Sequence, residues 1–87
     1  KMKRNYRKAY NALKKMGVTV YEGEFHGGEG FHISGEDNYP VVWAEYYREF
    51  GTGLDEFGVN PKINDVLQSN GLFAEWENTG VLGVAEL

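Results

Sequence analysis

The stretch Leu72 to Glu86, LFAEWENTGVLGVAE, sets the fold class. Leu72 to Glu77 and Val81 to Glu86 are rich in residues that suit a pleated, half-buried surface. Asn78-Thr79-Gly80 between them supplies the turn chemistry of a three-residue hairpin loop. Glu75 and Glu77 alternate with Trp76, so both point away from a core, and Glu86 is expected to face them across the hairpin. Immediately upstream, Asn60-Pro61 is a helix start, a capping side chain followed by proline at the first helical position. Ile63, Val66 and Leu67 make the apolar stripe of that helix, and Asn70-Gly71 ends it.

A second hairpin is expected earlier in the chain. Val18 to Phe25 (VTVYEGEF) and Gly30 to Ser34 (GFHIS) read as strands around the turn His26-Gly27-Gly28-Glu29. Sequence leaves the strand register open, and one residue of slip exchanges the two faces. Ahead of this hairpin, Met2, Tyr6, Ala9, Tyr10, Leu13 and Met16 recur at spacings of three and four, the period of an amphipathic helix from Met2 to Met16. Gly17 follows at once, as a helix ending in a left-handed turn requires. Between the hairpins, Pro40 suits a helix start. Trp43, Tyr46, Tyr47 and Phe50 then sit at helical spacing within Val41 to Phe50, although VVWAEYY also passes as a strand. We expect a short helix there, and a glycine-containing loop over Gly51 to Val59. The order is α-β-β-α-α-β-β, an α+β domain over residues 1–87 in which two β-hairpins form a four-stranded antiparallel sheet covered by helices on one face.

With 87 residues the chain forms one domain and buries roughly 60–65% of its unfolded surface, so its core is small. Cysteine is absent, which removes disulfides and thiolate metal sites. Two Trp, six Tyr and five Phe compensate, since burying one such side chain contributes about 1.5–3 kcal/mol. Any aromatic that does not fit inside is left on the surface, where Tyr and Trp favour protein interfaces. No apolar run approaches the roughly 18 residues that span a bilayer, and the opening helix lacks the pattern of a signal peptide, so a cytoplasmic location and no membrane partner are expected.

Charge is unevenly distributed. Seven of nine basic residues lie in the first fifteen positions with no acid among them, a net +7; residues 16–87 hold Arg48 and Lys62 against thirteen acids, a net −11. Lys3, Arg4, Arg7, Lys8, Lys14 and Lys15 form the candidate binding face, opposite the apolar stripe of the helix. A solvated or self-neutralised face, a protein partner and a phosphate backbone all remain open as readings of that arc. The sequence pI of about 5.1 weighs against nucleic acid.

Chemistry finds little support. His26 and His32 bracket GGEGF near Glu22, Glu24 and Glu29, but their spacing matches no zinc motif, and a turn histidine with a solvent-facing strand histidine is the plainer reading. The loop HGGEG joins two strands and carries Glu29, which repels phosphate. Ser34 has His32 and Asp37 nearby, yet residues two apart on a strand do not meet, and Ser69 ends a helix. The pair Glu75 and Glu77 lacks the cleft that a glycosidase needs. No cofactor, metal or catalytic residue is expected.

Asn70 to Val84, NGLFAEWENTGVLGV, with Ile33-Ser34-Gly35-Glu36-Asp37 and Trp43-Ala44-Glu45-Tyr46-Tyr47, resembles small α+β proteins encoded by phages and plasmids. The resemblance covers about half the chain and excludes the basic helix. It implies an accessory protein and carries no functional residue. A non-enzymatic protein acting through contacts with a protein partner or a second copy is therefore expected, with nucleic-acid binding through the basic helix as the alternative.

Overall fold

The computed structural model describes residues 2–22, 30–36, 41–47 and 53–87. Its elements are α1 (Arg4–Met16), β1 (Val20–Glu22), β2 (Phe31–Ser34), α2 (Pro61–Gln68), β3 (Leu72–Asn78) and β4 (Val81–Glu86). The strands form one sheet in the order β1-β2-β4-β3, every neighbouring pair antiparallel.

The opening helix begins at Arg4. Lys3 occupies the cap position, where its side chain makes no capping bond to the helix N–H groups, and the first turn has no acid to offset the helix dipole. Its C-terminus is better closed. Gly17 lies at φ 95°, its N–H donates to the Lys14 carbonyl, and the Val18 N–H donates to the Leu13 carbonyl, which is the Schellman arrangement. Val18 is buried beyond that turn. Packing does the rest, through buried Tyr6, Ala9, Tyr10 and Leu13.

Register decides which side chains meet α1 and α2. Val20, Ile33, Leu82 and Trp76 lie across from one another, and Phe31, Val84 and Ala74 share their face with Leu72. This inner face joins the buried stripes of α1 and of α2 (Ile63, Leu67) in one core cluster. Tyr10 meets Phe31 edge to face at 5.4 Å between ring centres. The opposite, outer face carries Tyr21, His32, Phe73, Glu75 and Gly83.

Two local expectations change. Asn78 pairs with Val81 while Trp76 pairs with Leu82, so Glu77 is an extra residue, a β-bulge, and the loop shortens to Thr79-Gly80. The Gly80 N–H donates to Asn78 Oδ1 at 2.8 Å, which closes the turn. Secondly, the described part of the expected helix Val41 to Phe50 is not helical; Arg48 to Phe50 lie outside the described residues. Ala44 instead bridges Val59, the Glu45 N–H donates to the Gly58 carbonyl and the Asn60 N–H to the Trp43 carbonyl. Trp43, Ala44 and Glu45 are buried in succession, which one face of a helix cannot accomplish, while Tyr46 and Tyr47 are exposed.

Asn60 joins this bridge to α2. Its Oδ1 accepts the Lys62 N–H at 3.0 Å, and its Nδ2 donates to the Val42 carbonyl at 3.3 Å. Asn60→Ala should lower unfolding free energy by about 1 kcal/mol, read as a lower denaturant midpoint at unchanged slope. An unchanged midpoint would show that the cap adds nothing.

Candidate functional site

The six candidate cations of α1 separate into two sets. Lys3 Nζ lies 2.9 Å from Glu86 Oε1, and Arg7 Nη2 lies 3.0 Å from Glu22 Oε1. The Arg7 guanidinium also sits 5.3 Å from the centre of the Tyr10 ring, with Lys14 Nζ at 5.9 Å. These three flank the helix where it meets the acidic body. Arg4, Lys8 and Lys15 point outward with Asn11, all exposed, and make no ion pair among the described residues. Positions 4, 8, 11 and 15 form one line about 16 Å long at 1.5 Å per residue.

Glu86 has moved from its expected place. It lies opposite Leu72 on the inner-face side of the sheet, where it meets Lys3, and not beside Glu75 and Glu77. The hydrogen bond from Lys3 and then its charge hold the Glu86 carboxyl below its usual range. A depressed carboxyl contributes stability that is present above its unfolded value and is lost as pH falls through its folded value. Glu86→Gln should therefore flatten the acid limb of the stability curve, and added salt should do likewise because the pair is exposed. Parallel acid limbs for the two proteins would contradict this.

A different surface is built along β3. This strand has β4 on one side and forms the edge of the sheet on the other. Among the described residues, no backbone hydrogen bond reaches the outer edge of Phe73 to Trp76. Beside that edge runs an open groove. One part, about 390 Å³, is lined by Phe57, Val59, Phe73, Ala74, Glu75, Trp76 and Leu82. A smaller part, about 90 Å³, shares Phe57, Val59, Phe73 and Ala74 with it and continues to Leu72 and Leu87. Consecutive β3 residues from both sheet faces line it, so it follows the strand's edge.

Asp55 makes the far wall. Its Oδ1 accepts the N–H groups of Phe57 (2.8 Å) and Val59 (2.9 Å), and its Oδ2 accepts Asn64 Nδ2 from α2 at 2.8 Å. Gly58 at φ 85° completes this turn. The Phe57 carbonyl accepts Trp76 Nε1 at 2.7 Å, which fixes the loop to β3. The Phe57 side chain is thereby left 67% exposed, near Phe73 at 37%. Tyr46, also exposed, meets the Trp76 ring edge to face at 5.5 Å and extends the aromatic surface. Asp55→Ala should cost about 1–3 kcal/mol by leaving the half-buried donors of Val59 and Asn64 unmatched, and should broaden the Phe57 resonances; an unaltered loop would contradict Asp55's role as its organiser.

The remaining expectations fall into place around these surfaces. His32 is 5% exposed and stacks on Tyr21 at 5.7 Å, so the solvent-facing reading is corrected. It lies opposite Gly83, and the absent side chain there makes room for the Glu77 carboxylate, which would be 2.7 Å from a Cβ at that position. No group of three or more His, Asp or Glu suited to a metal occurs among the described residues; His26 lies outside them. Ser34 Oγ accepts the Glu36 N–H, and Ser69 Oγ donates to the Asp65 and Val66 carbonyls, so both hydroxyls serve the backbone. Asp37 and the turn His26 to Glu29 are outside the described residues. No described helix is long and apolar enough to cross a membrane.

Comparison of the chain with protein-family models, curated proteins and solved structures finds no match.

Proposed function

We propose that this domain is a non-enzymatic binding module that engages a protein partner along the β3 edge. The observation that carries the reading is the outer edge of Phe73 to Trp76, unpaired among the described residues, beside a groove walled by Phe57, Val59 and Trp76. Unpaired strand edges are templates for pairing, and proteins commonly protect them with lysine, proline or a covering element. The seven residues of β3 contain neither lysine nor proline. An accessory role of the phage or plasmid type that the chain resembles fits a module of this kind.

Selection of a random peptide display library against the folded domain tests the reading. Selected binders should lose most of their affinity to Phe57→Ser and to Phe73→Ser, both at exposed positions. They should be indifferent to Lys8→Glu on α1, which does not line the groove. Binders that ignore both phenylalanines would count against the β3 surface.

The outward line of Arg4, Lys8 and Lys15 supports a second reading, contact with a phosphate backbone, to which Lys3, Arg7 and Lys14 would add only after leaving their present partners. Retention on heparin or duplex DNA should then fall steeply with salt, and Lys8→Glu with Lys15→Glu should abolish it. Absence of retention at low salt ends this reading.

A further inference from the structure

We infer that the partner segment binds as a fifth, extended strand on β3 and that it carries apolar side chains alternating with lysine or arginine. This rests on the reading of β3 as the binding edge and names the chemistry of its occupant. In an antiparallel ladder every second residue of an edge strand turns both its N–H and its C=O outward. Within Phe73 to Trp76 these groups have no partner among the described residues, so an incoming strand finds donors and acceptors already spaced for it.

Side chains of such a strand alternate between two surroundings. One set enters the groove toward Phe57, Val59 and Trp76. The groove holds more free volume at its Trp76 end, about 390 Å³, than toward Leu72 and Leu87, about 90 Å³. A large apolar residue therefore suits the first position and a small one the second. The other set stands on the outer face beside Phe73 and Glu75. The charged residues lining the groove are Glu75 and Asp55, both acidic, with no lysine or arginine among the described lining residues. Opposite charges on directly facing strand positions attract, and like charges repel. The rim accordingly favours a cationic segment.

The same charge argument disfavours a second copy of this chain in the registers centred on Glu75 and Trp76. Two β3 strands paired about a twofold axis near Glu75 or Trp76 would place Glu75 of each copy across from Glu75 or Glu77 of the other.

The probes are short synthetic peptides alternating lysine with valine, their glutamate–valine counterparts, and two N-methylated forms of the lysine series. N-methylation of the residues whose N–H groups face β3 should abolish binding, while methylation of the intervening residues should leave it intact. Amide exchange at Phe73 to Trp76 should slow in the complex. The lysine peptide should bind at least several-fold more tightly than the glutamate peptide, and Glu75→Lys should narrow or reverse that preference. Equal sensitivity to both methylation patterns, unchanged β3 exchange, equal affinity for the two charge series, or no binding would each overturn the inference. Protection of β3 that grows with protein concentration in the absence of peptide, with a solution mass near twice 9.9 kDa, would overturn it in favour of a second copy. If strand addition fails while selected binders still depend on Phe57 and Phe73, the partner is a protein of another shape and the broader reading stands.

Discussion

Phe31→Ala should remove about 3–5 kcal/mol of stability, the usual cost of truncating a fully buried phenylalanine. Phe31 is 1% exposed in the middle of the inner face. It lies on β2, the strand that joins the two hairpins by pairing with β1 and β4, and it makes the T-shaped contact with Tyr10 that docks α1. Loss of the ring therefore opens a cavity where the helix and both halves of the sheet converge. A domain of this size has only about 4–13 kcal/mol at roughly 0.05–0.15 kcal/mol per residue, so the variant should be partly unfolded at ordinary temperature. Chemical denaturation would report a much lower midpoint. A loss below about 1 kcal/mol would mean that the core closes over the gap or that α1 is not held there.

Gly35→Ala should destabilise the domain strongly although it adds a single carbon. A Cβ at Gly35 would come 2.5 Å from Cζ3 and 2.8 Å from Cη2 of Trp76. That ring cannot yield cheaply, because its Nε1 is bonded to the Phe57 carbonyl and Tyr46 packs against it in a T-shaped contact. Overpacking of this kind costs about 1–3 kcal/mol, and a lost hydrogen bond adds about 0.5–1.5 kcal/mol. The indole N–H resonance of Trp76 should move toward that of an unbonded indole, and the groove wall formed by Phe57 should shift with it. Wild-type stability with an unmoved indole resonance would contradict the close approach.

These two positions show what sequence could and could not reveal. The helices were legible because their signals are local: Gly17 closes α1, Asn60-Pro61 opens α2, and Tyr6, Ala9, Tyr10 and Leu13 repeat at the helical period. The hairpin of β3 and β4 was legible from alternation. Pairing of β2 with β4 was not, since only the three-dimensional register places Ile33 against Leu82. Residues 41–47 misled because Trp43, Tyr46 and Tyr47 have helical spacing, whereas the bridge from Ala44 to Val59 depends on a contact far along the chain.

The candidate sites followed the same division. The cationic arc of α1 was plain in the sequence, but its separation into paired Lys3 and Arg7 and outward Arg4, Lys8 and Lys15 depends on where Glu22 and Glu86 arrive. The groove was missed. One signal was available: Phe73 shares the strand parity of Glu75, which puts a large apolar residue on the polar side of the hairpin. The Asp55 turn that presents Phe57 was hidden within a stretch read only as loop, because an aspartate accepting nearby N–H groups resembles any other loop aspartate until the partners are seen.

Everything proposed for this domain depends on β3 having an open outer edge, and amide hydrogen exchange of the free chain of 87 residues measures that directly. Alternate amides along Phe73 to Trp76 should be slow, where they bond to β4, and the intervening ones should be fast, where they face water. Uniformly slow exchange across these residues would mean that the edge is already covered, and would contradict the account.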